Sequence, residues 1–506
     1  MLMQGAIMSR LNALVRGVMA IEPDAPAIEY HGDWYRWGDL TAIINGIERI
    51  FEDEGIEPGT RVGGLLRNTP EIAALILALI TGDRCVVTLN PLMPDDKLVG
   101  EIAALQLPVL VAMSDDWKRA DIAAAAKRAG LLGIEIIPGA AEPVRIVIPR
   151  GEGAFRIDAD GVAIEMLTSG TTGTPKRVPL MAENFAEMIL DAAHFENRDP
   201  DAPPRLRNAV SILNTPFSHI GGIFGLFNCL SAGRKACMLD RFQVETFVDA
   251  IERHRPRITG APPAALRMLL DADVPKEKLS SLMAFRTSTA PLDPDLADEF
   301  QAKYGVPVLQ NYGATEFAGG VAGWTIDDYR RFPTQKRGSV GKMNPGVDGR
   351  VVDQESGAPV PHGTPGLLEL RARHLGDGQS WLRTTDIARM DEDQYLWILG
   401  RADNAIIRGG FKVIPDDVVR AMETHPAIIE ACVLALPDAR LGQVPVAAYR
   451  ERSGKQVGED ELRSFLREKL APYQVPVRFL RLEEFPRTPS MKVSQPELRK
   501  LFETVQ

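Results

Sequence analysis

Cysteines are few in this chain and lie far apart. Only four occur among its 506 residues, and they include neither a Cys-x-x-Cys pair nor a cluster of Cys with His. Neither a disulfide framework nor a zinc site is therefore indicated. We expect reduced, buried thiols at Cys85, Cys229, Cys237 and Cys432.

The sequence also lacks a long apolar run and an excess of basic residues. Its longest apolar run, 72–80, is too short to cross a bilayer, and no apolar stretch with a cleavage site follows Arg10 and Arg16. We therefore expect a cytoplasmic protein without a membrane span. The formal net charge of −10 argues against a nucleic-acid partner, because clustered Lys and Arg hold phosphate backbones.

The apolar pattern divides the chain into parts. A chain this long predicts two or three domains, and its 45% hydrophobic content can fill their cores. Over 60–310, short apolar runs alternate with helical patterns, which predicts parallel sheets covered by helices. Over 336–400, glycine and proline become frequent and long helices are absent, which predicts a β-rich subdomain. A turn-rich, charged segment follows, and then a compact αβ unit.

A polar stretch at 167–178, LTSGTTGTPKRV, is the most distinctive segment. We predict that it is a loop between a strand at 162–167 and a helix at 184–190. It differs from a Walker A loop because Pro175 precedes Lys176. Glycines and hydroxyls suit a concave polyphosphate site, although a glycine-rich surface turn remains an alternative. These residues are Thr168, Ser169, Gly170, Thr171, Thr172, Gly173 and Thr174.

A second segment, 311–316, reads NYGATE and follows an apolar run. Tyr312 offers an aromatic face for a base, and Gly313 allows close approach of a ligand. Thr315 offers a hydroxyl, and Glu316 offers an oxygen ligand of the kind Mg²⁺ prefers. Taken alone, such a turn is more often structural.

Charged residues in three further places are suited to a nucleotide. Asp386 ends the segment WLRTTD, and its carboxylate can accept both ribose hydroxyls. Arg401, fifteen residues later, can hold oxygens in a fork. Lys492 lies near the C-terminus in PRTPSMKVS. Each would be a solvated surface charge if it stood alone.

Together and in this order, the motifs resemble those of the adenylate-forming superfamily, of the acyl- and aryl-CoA synthetase type. The resemblance implies an α/β fold whose large N-terminal domain, residues 1–400, has two βαβ subdomains and a β-rich subdomain at about 336–400. It also implies a small, mobile α+β C-terminal domain at 401–506, with Asp403 at the hinge. The substrates it implies are ATP, CoA and a small-molecule carboxylic acid, with Mg²⁺ as the cofactor ion.

The resemblance also implies a role for individual residues. In the family the aromatic residue of the second motif packs on adenine, its threonine contacts phosphate, and its glutamate binds magnesium. The C-terminal lysine neutralises charge between the carboxylate and the α-phosphate. The nucleotide-binding residues so implied are Thr168, Ser169, Gly170, Thr171, Thr172, Gly173, Lys176, Tyr312, Gly313, Thr315, Asp386 and Arg401, and the catalytic residues are Lys492, Glu316 (also the metal ligand) and His219.

The acyl and CoA sides rest on weaker matches. PFSHIGG at 216–222 resembles the family segment whose histidine, here His219, gates the acid pocket. Position 219 lacks the aspartate of amino-acid-activating relatives, which argues against an α-amino acid. Gly409 and Gly410 match the loop that lines the pantetheine tunnel of CoA. The expected apolar walls are Phe217, Ile220, Ile223, Phe224 and Phe317.

Several positions depart from the family pattern. Arg177, Thr385 and Met491 stand where the family has glycine. In addition, Ser288 and Thr289 replace part of a smaller Gly- or Ala-rich run, so that their hydroxyls would trim the pocket.

The motifs favour an ATP-dependent, AMP-forming carboxylate–CoA ligase that activates a hydrophobic fatty or aromatic acid. A ligase that loads the phosphopantetheine of an acyl carrier protein is the alternative. A luciferase-like oxidoreductase would need an oxidisable substrate that no motif specifies. A non-catalytic acyl-nucleotide-binding protein is disfavoured because Glu316, Asp386 and Lys492 are all present.

Overall fold

A computed structural model describes residues 4–168, 176–195, 199, 202–317, 319–332, 334–488 and 491–504. Its α-helices are α1 (Gln4–Met19), α2 (Trp37–Asp53), α3 (Pro70–Thr81), α4 (Asp95–Leu105), α5 (Ser114–Trp117), α6 (Ala120–Ala129), α7 (Ala182–Phe195), α8 (Ile220–Leu230), α9 (Val244–His254), α10 (Pro263–Asp271), α11 (Pro294–Tyr304), α12 (Ile326–Arg331), α13 (Pro415–Glu423), α14 (Glu459–Arg467) and α15 (Gln495–Thr504). Its strands are β1 (Pro26–Tyr30), β2 (Asp33–Arg36), β3 (Arg61–Leu65), β4 (Cys85–Leu89), β5 (Val109–Met113), β6 (Leu132–Ile136), β7 (Val144–Ile148), β8 (Val162–Thr168), β9 (Lys176–Met181), β10 (Val210–Leu213), β11 (Lys235–Met238), β12 (Ile258–Gly260), β13 (Ala284–Thr287), β14 (Val308–Ala314), β15 (Gly319–Gly323), β16 (Lys342–Met343), β17 (Val347–Val352), β18 (Gly366–Ala372), β19 (Leu382–Met390), β20 (Leu396–Arg401), β21 (Ile406–Arg408), β22 (Phe411–Val413), β23 (Ile428–Asp438), β24 (Gly442–Glu451) and β25 (Arg478–Arg481).

The first sheet has the strand order β7-β6-β5-β3-β4-β8-β9. Its inner strands are parallel, and β3, β4 and β5 are buried along their whole length. Such strands read as continuous apolar runs because helices cover both faces of a parallel sheet. α3 is one of these helices, and Thr69 caps its N-terminus by accepting from the N–H of Ile72. The predicted βαβ pattern is confirmed.

The polar loop joins two strands, and the prediction that it leads from a strand into a helix is wrong. β9 begins at Lys176, pairs antiparallel with β8, and lies at the edge of the sheet; α7 begins only at Ala182. A short period-2 pattern was the missed signal, since Val178 and Leu180 pack on the core. Pro179 fits an edge strand, which can lack one donor N–H.

The second and third sheets lie next to each other. Their strand orders are β10-β11-β1-β2 and β12-β13-β14-β15-β16. The Asn214 side chain, which follows β10, donates to the Gly260 carbonyl at the end of β12, 2.9 Å away. A cluster of aromatic rings that includes Phe247, Phe285 and Phe300 fills the core beneath the third sheet.

The β-rich region is an antiparallel sheet of β17, β18, β19 and β20, in that order. The buried Glu369 carboxylate accepts from Arg350 and from Arg383, each at 2.8 Å, so charge within this sheet is paired. After it, β21 to β25 and the helices α13 to α15 form a small unit with its own apolar core. The α/β fold class is confirmed, while the boundary at residue 400 and the mobility of the small domain stay predictions.

All four cysteines are free, as predicted, and three of them are buried. No helix among the described residues is long and apolar enough to cross a membrane.

Arg177 is a structural residue of the first sheet. Its guanidinium donates to the carbonyls of Thr88 at 3.1 Å and Glu165 at 3.4 Å, and to the Glu101 carboxylate at 3.2 Å. Burial lowers its pKa, but the Glu101 charge opposes that shift. The Arg177 side chain, which replaces the family glycine, thus makes its hydrogen bonds within the first sheet and to the neighbouring Glu101.

We expect Arg177→Ala to lower the free energy of unfolding by about 2 kcal/mol, because it leaves the Glu101 carboxylate without its cation in a partly buried site. A lower midpoint of thermal unfolding would report this loss. The midpoint of Arg177→Lys should lie between those of the wild-type protein and Arg177→Ala. Adenylation per folded molecule should remain unchanged. Normal stability with lost adenylation would instead give Arg177 a role in substrate binding.

Candidate active site

Three of the predicted nucleotide residues lie together although they are far apart in the chain. The Tyr312 hydroxyl, on β14, donates to the Asp386 carboxylate, on β19, at 2.5 Å. Asp386 and Arg401 are direct partners across β19 and β20. The strand β14 runs on to Ala314, so NYGA is strand rather than turn, and Thr315 and Glu316 lie in a 3-10 turn, Thr315–Phe317.

Arg401 is fixed by two neighbours. It donates to both carboxylate oxygens of Asp403, at 2.9 and 2.7 Å, and to the Thr385 hydroxyl, at 2.7 Å. Thr385 stands where the family has glycine, and its side chain therefore adds a contact that orients the guanidinium. Because these contacts hold the planar Arg401 guanidinium in one orientation, its remaining N–H donors point in a fixed direction.

Gly313 is required by the backbone around it. It pairs with Gly320 across β14 and β15, and a Cβ added to it would lie 2.1 Å from the carbonyl oxygen of Gly319. Close strand packing, rather than ligand approach, is thus a sufficient reason for this glycine.

Lys492 reaches this cluster from the small unit. It lies in a tight hairpin, where the Thr488 N–H donates to the Lys492 carbonyl at 2.8 Å and the Lys492 N–H donates to the Thr488 hydroxyl at 3.2 Å. Burial lowers the pKa of the Lys492 amine, the charge of Arg401 lowers it further, and Glu316 opposes both. The amine is thus close enough to Arg401 and Glu316 for their charges to act on it.

His219 lies beside Lys492 and is neutral. Burial lowers the pKa of His219 to about 4, and the Lys492 charge contributes to that shift. Its Nδ1 accepts from the N–H of Gly221 at 3.1 Å, which caps α8. The proton of the neutral ring is then on Nε2, so His219 faces the site as a hydrogen-bond donor and is a poor base.

Two clefts adjoin these residues and share Thr215, Pro262 and Thr289 in their linings. The smaller is lined by Asn214, Thr215, Pro216, His219, Phe242, Pro262, Thr289 and Met491. The larger is lined by Thr215, Gly260, Ala261, Pro262, Arg286, Thr287, Ser288, Thr289 and Asn311. Asn311 directly precedes Tyr312, so the larger cleft adjoins the nucleotide residues.

The residues predicted as apolar walls do not line either cleft. Phe217 and Ile223 are fully buried in the core of the first and second sheets, and Phe317 belongs to the core of the β-rich region. Phe242 and Pro262 line the smaller cleft instead. They come from loops after β11 and β12, and no motif marks them in the sequence.

The predicted CoA loop forms the turn between β21 and β22. Gly409 and Gly410 have φ values of +58° and +90°, which glycine adopts without strain. Arg408, beside them, donates to the carbonyls of Tyr473 and Val475, and Lys412 donates to Gln354 at 3.0 Å. In this arrangement of the domains it is Lys492, on another loop of the small unit, that is close to Glu316 and His219.

The phosphate loop itself falls largely outside the described residues. Thr168 and Lys176 are paired across β8 and β9, so the backbone closes the loop at both ends. The predicted binding residues Ser169, Gly170, Thr171, Thr172 and Gly173 lie outside the residues that the structure describes.

The residues present fit a magnesium ion that is bound together with ATP. Mg²⁺ is usually held by one or two carboxylates, waters and substrate phosphates, and Glu316 offers an exposed carboxylate beside the nucleotide cluster. Elsewhere in the described part of the chain, Glu29, Cys237 and His254 place ligand atoms within 4.8 Å of one another. The Arg253 guanidinium donates to Glu29 and contacts His254, so a positive charge already occupies that cluster.

The fold and the site together define an enzyme that forms adenylates from ATP. The chain belongs to the AMP-binding enzyme family: the family model matches residues 16–378, and the model of the AMP-binding enzyme C-terminal domain matches residues 420–492. The prediction of an AMP-forming enzyme of the acyl- and aryl-CoA synthetase type is confirmed.

Three similar proteins illustrate this membership. The chain is 27% identical over 491 residues to "Peroxisomal OPC-8:0-CoA ligase 1" of Arabidopsis thaliana, with 92% of this chain and 88% of the relative covered. It is 25% identical over 503 residues to "4-coumarate--CoA ligase-like 3" of the same plant, with 92% and 87% covered. Among solved structures, ATP-bound MatB from Rhodopseudomonas palustris is 25% identical, with a TM-score of 0.81 and 98% and 99% of the two chains covered.

Proposed function

We propose that this protein is an ATP-dependent, AMP-forming ligase that joins a hydrophobic fatty or aromatic carboxylic acid to CoA. The observation that carries the proposal is the position of Lys492, whose amine lies near Glu316, Arg401 and His219. A cation at this point can stabilise the charge that develops when a carboxylate attacks the α-phosphorus. The two plant relatives are named as CoA ligases, which supports CoA as the acceptor.

In the first half of the proposed reaction, a carboxylate oxygen of the acid attacks the α-phosphorus, and pyrophosphate leaves. Asp386 accepts the ribose hydroxyls, Tyr312 packs on the adenine, and the 168–176 loop holds the phosphates. Glu316 would hold Mg²⁺ together with the bound ATP, and the ion would supply positive charge there. Lys492 holds the reacting oxygens together until the acyl adenylate has formed.

In the second half, the CoA thiolate attacks the carbonyl carbon of the adenylate, and AMP leaves. The Gly409–Gly410 turn would line the thiol's path after the small domain rotates. His219 contributes as a neutral donor at the boundary of the acid pocket, since its low pKa makes it a poor acceptor for the thiol proton. The apolar Phe242, Pro262 and Met491 beside it support a hydrophobic acid.

Mass spectrometry of the products tests this proposal. The protein is incubated with MgATP, CoA and a pooled panel of aliphatic and aromatic acids, and we expect an acyl-CoA of one class of acid together with AMP. Accumulation of acyl-AMP alone would favour a carrier-protein acceptor, which addition of a phosphopantetheinylated carrier protein would then check. Absence of any adenylate from every acid would contradict the proposal.

A further inference from the structure

Two side chains of the smaller cleft stand on backbone that glycine normally supplies. Met491 has a φ of +63° and Thr289 a φ of +73°. Left-handed backbone is uncommon for residues with a side chain, and for a β-branched residue such as threonine it is an outlier. Both residues replace the small residues of the family pattern, and both line the cleft at His219. Met491 and Thr289 are therefore present in spite of the conformational cost of left-handed backbone at residues with a side chain.

The hairpin around Met491 holds its backbone in this conformation. The Met491 N–H donates to the Thr488 carbonyl at 2.8 Å, and Arg487 donates to the Met491 carbonyl at 3.2 Å. Arg487 is itself held by both carboxylate oxygens of Glu430, at 2.7 and 2.9 Å. Contacts on both sides of the residue thus fix the backbone from which the side chain projects.

The Met491 side chain belongs to the small unit but packs on the large one. It lies against the apolar core that contains Phe242 and Phe285, and it faces His219 and Thr289 across the cleft. The space left in the cleft is about that of one water molecule. His219, on which the Lys492 charge acts, lines this nearly filled space, so the space adjoins the reacting carboxylate of the proposed function.

We propose that Met491 is a specificity-determining residue that closes the cleft at His219 only while Lys492 is in place. The small domain then carries a wall of the acid site with it. Acids that are wide next to the carboxylate are excluded when the adenylate is made. The wall is withdrawn when the domain rotates, so it places no limit on the acyl adenylate during transfer to the thiol. This inference rests on the proposed function.

The test compares the wild-type protein with Met491→Gly, and Met491→Leu is the matched control that keeps a side chain of similar volume. Glycine adopts the same left-handed backbone without strain, so the glycine variant should fold normally. For an acid that the wild-type protein accepts and for its bulkier homologues, kcat/KM is measured from pyrophosphate release. Preformed acyl adenylates of the same acids are then mixed with CoA, and thioester formation is followed.

We expect Met491→Gly to raise kcat/KM of the bulkier homologues, relative to the parent acid, by at least about 10-fold, since even one methylene against a pocket wall changes selectivity by that factor. Met491→Leu should keep the wild-type ratio. In transfer of the acyl group to CoA, the ratio of the rate for a bulkier adenylate to the rate for the parent adenylate should be the same in all three proteins.

Two results would overturn the inference. An equal change for all acids would mean that Met491 acts only through the backbone of Lys492. An equal gain for bulky acids in both halves would mean that the side chain does not leave the cleft. If the wild-type protein forms no adenylate from any acid, the proposed function itself fails and this inference falls with it.

Discussion

Replacing Lys492 with alanine should lower the rate of adenylate formation by about 10²–10³-fold, a loss typical for removal of a group that stabilises transition-state charge. The amine is close enough to Glu316, Arg401 and His219 for their charges to interact. Its stabilisation is needed where a carboxylate approaches a negatively charged phosphate. Pyrophosphate release with MgATP and an accepted acid measures this effect.

The second half of the reaction is the internal control. When acyl adenylate is supplied, transfer to CoA should change by less than about 3-fold, since Lys492 acts before the domain rotates. Lys500→Ala removes an exposed lysine of the same unit, on α15, and should leave both halves unchanged. An equal fall in both halves for Lys492→Ala would contradict a role confined to adenylation.

The sequence alone predicts the polar part of the site better than the apolar part. Tyr312, Asp386, Arg401 and Lys492 were recognisable because the chemistry of binding a nucleotide demands particular residue types in short, fixed motifs. The structure brings these residues together, while their individual roles remain predictions. An acid pocket does not require particular residue types in a short motif, because many apolar residues can fill the same space.

The direction in which a side chain points is the second reason why the sequence did not predict the roles of some residues. In the sequence, Arg177 is only a departure from the family glycine, and it is the register of β9 that turns it toward Glu101 and the interior of the sheet. Met491 is likewise only a departure from the family glycine in the sequence, yet its side chain reaches the core of the large domain. Both outcomes depend on long-range packing, which a local pattern does not encode.

The strand and helix pattern was predicted well where packing is periodic. The wholly buried β3, β4 and β5 and the amphipathic α9 follow their apolar residues, and the glycine-rich β17 to β20 region is a sheet. The turn at NYGATE was misplaced because β14 continues beyond its apolar residues through backbone pairing with β15. The cytoplasmic location, the magnesium ion and a carrier-protein partner stay predictions.

The second large effect is expected at the ribose site. Asp386→Ala should raise KM for ATP and lower kcat/KM by about 10²-fold, because two hydrogen bonds from ribose hydroxyls to a charged acceptor are lost. Tyr312→Phe is the matched control: it keeps the ring for the adenine and removes only the hydroxyl that donates to Asp386. Its KM for ATP at neutral pH should change by only a few-fold. If both variants lost the same amount, ATP binding would depend on the hydrogen bond from Tyr312 to Asp386 and not on the carboxylate alone.

The pH dependence of KM for ATP separates these roles further. Burial raises the pKa of Asp386 above the ordinary value for a carboxyl, while the hydrogen bond from Tyr312 and the charge of Arg401 oppose the rise. As the pH falls through this raised pKa, the carboxyl takes up a proton and loses acceptor capacity, so KM for ATP should increase on the acid side. Without the Tyr312 hydroxyl the pKa rises further, and in Tyr312→Phe the increase should begin at a higher pH. Asp386→Ala should lose this acid-side increase, and its persistence in that variant would assign the titration to another group.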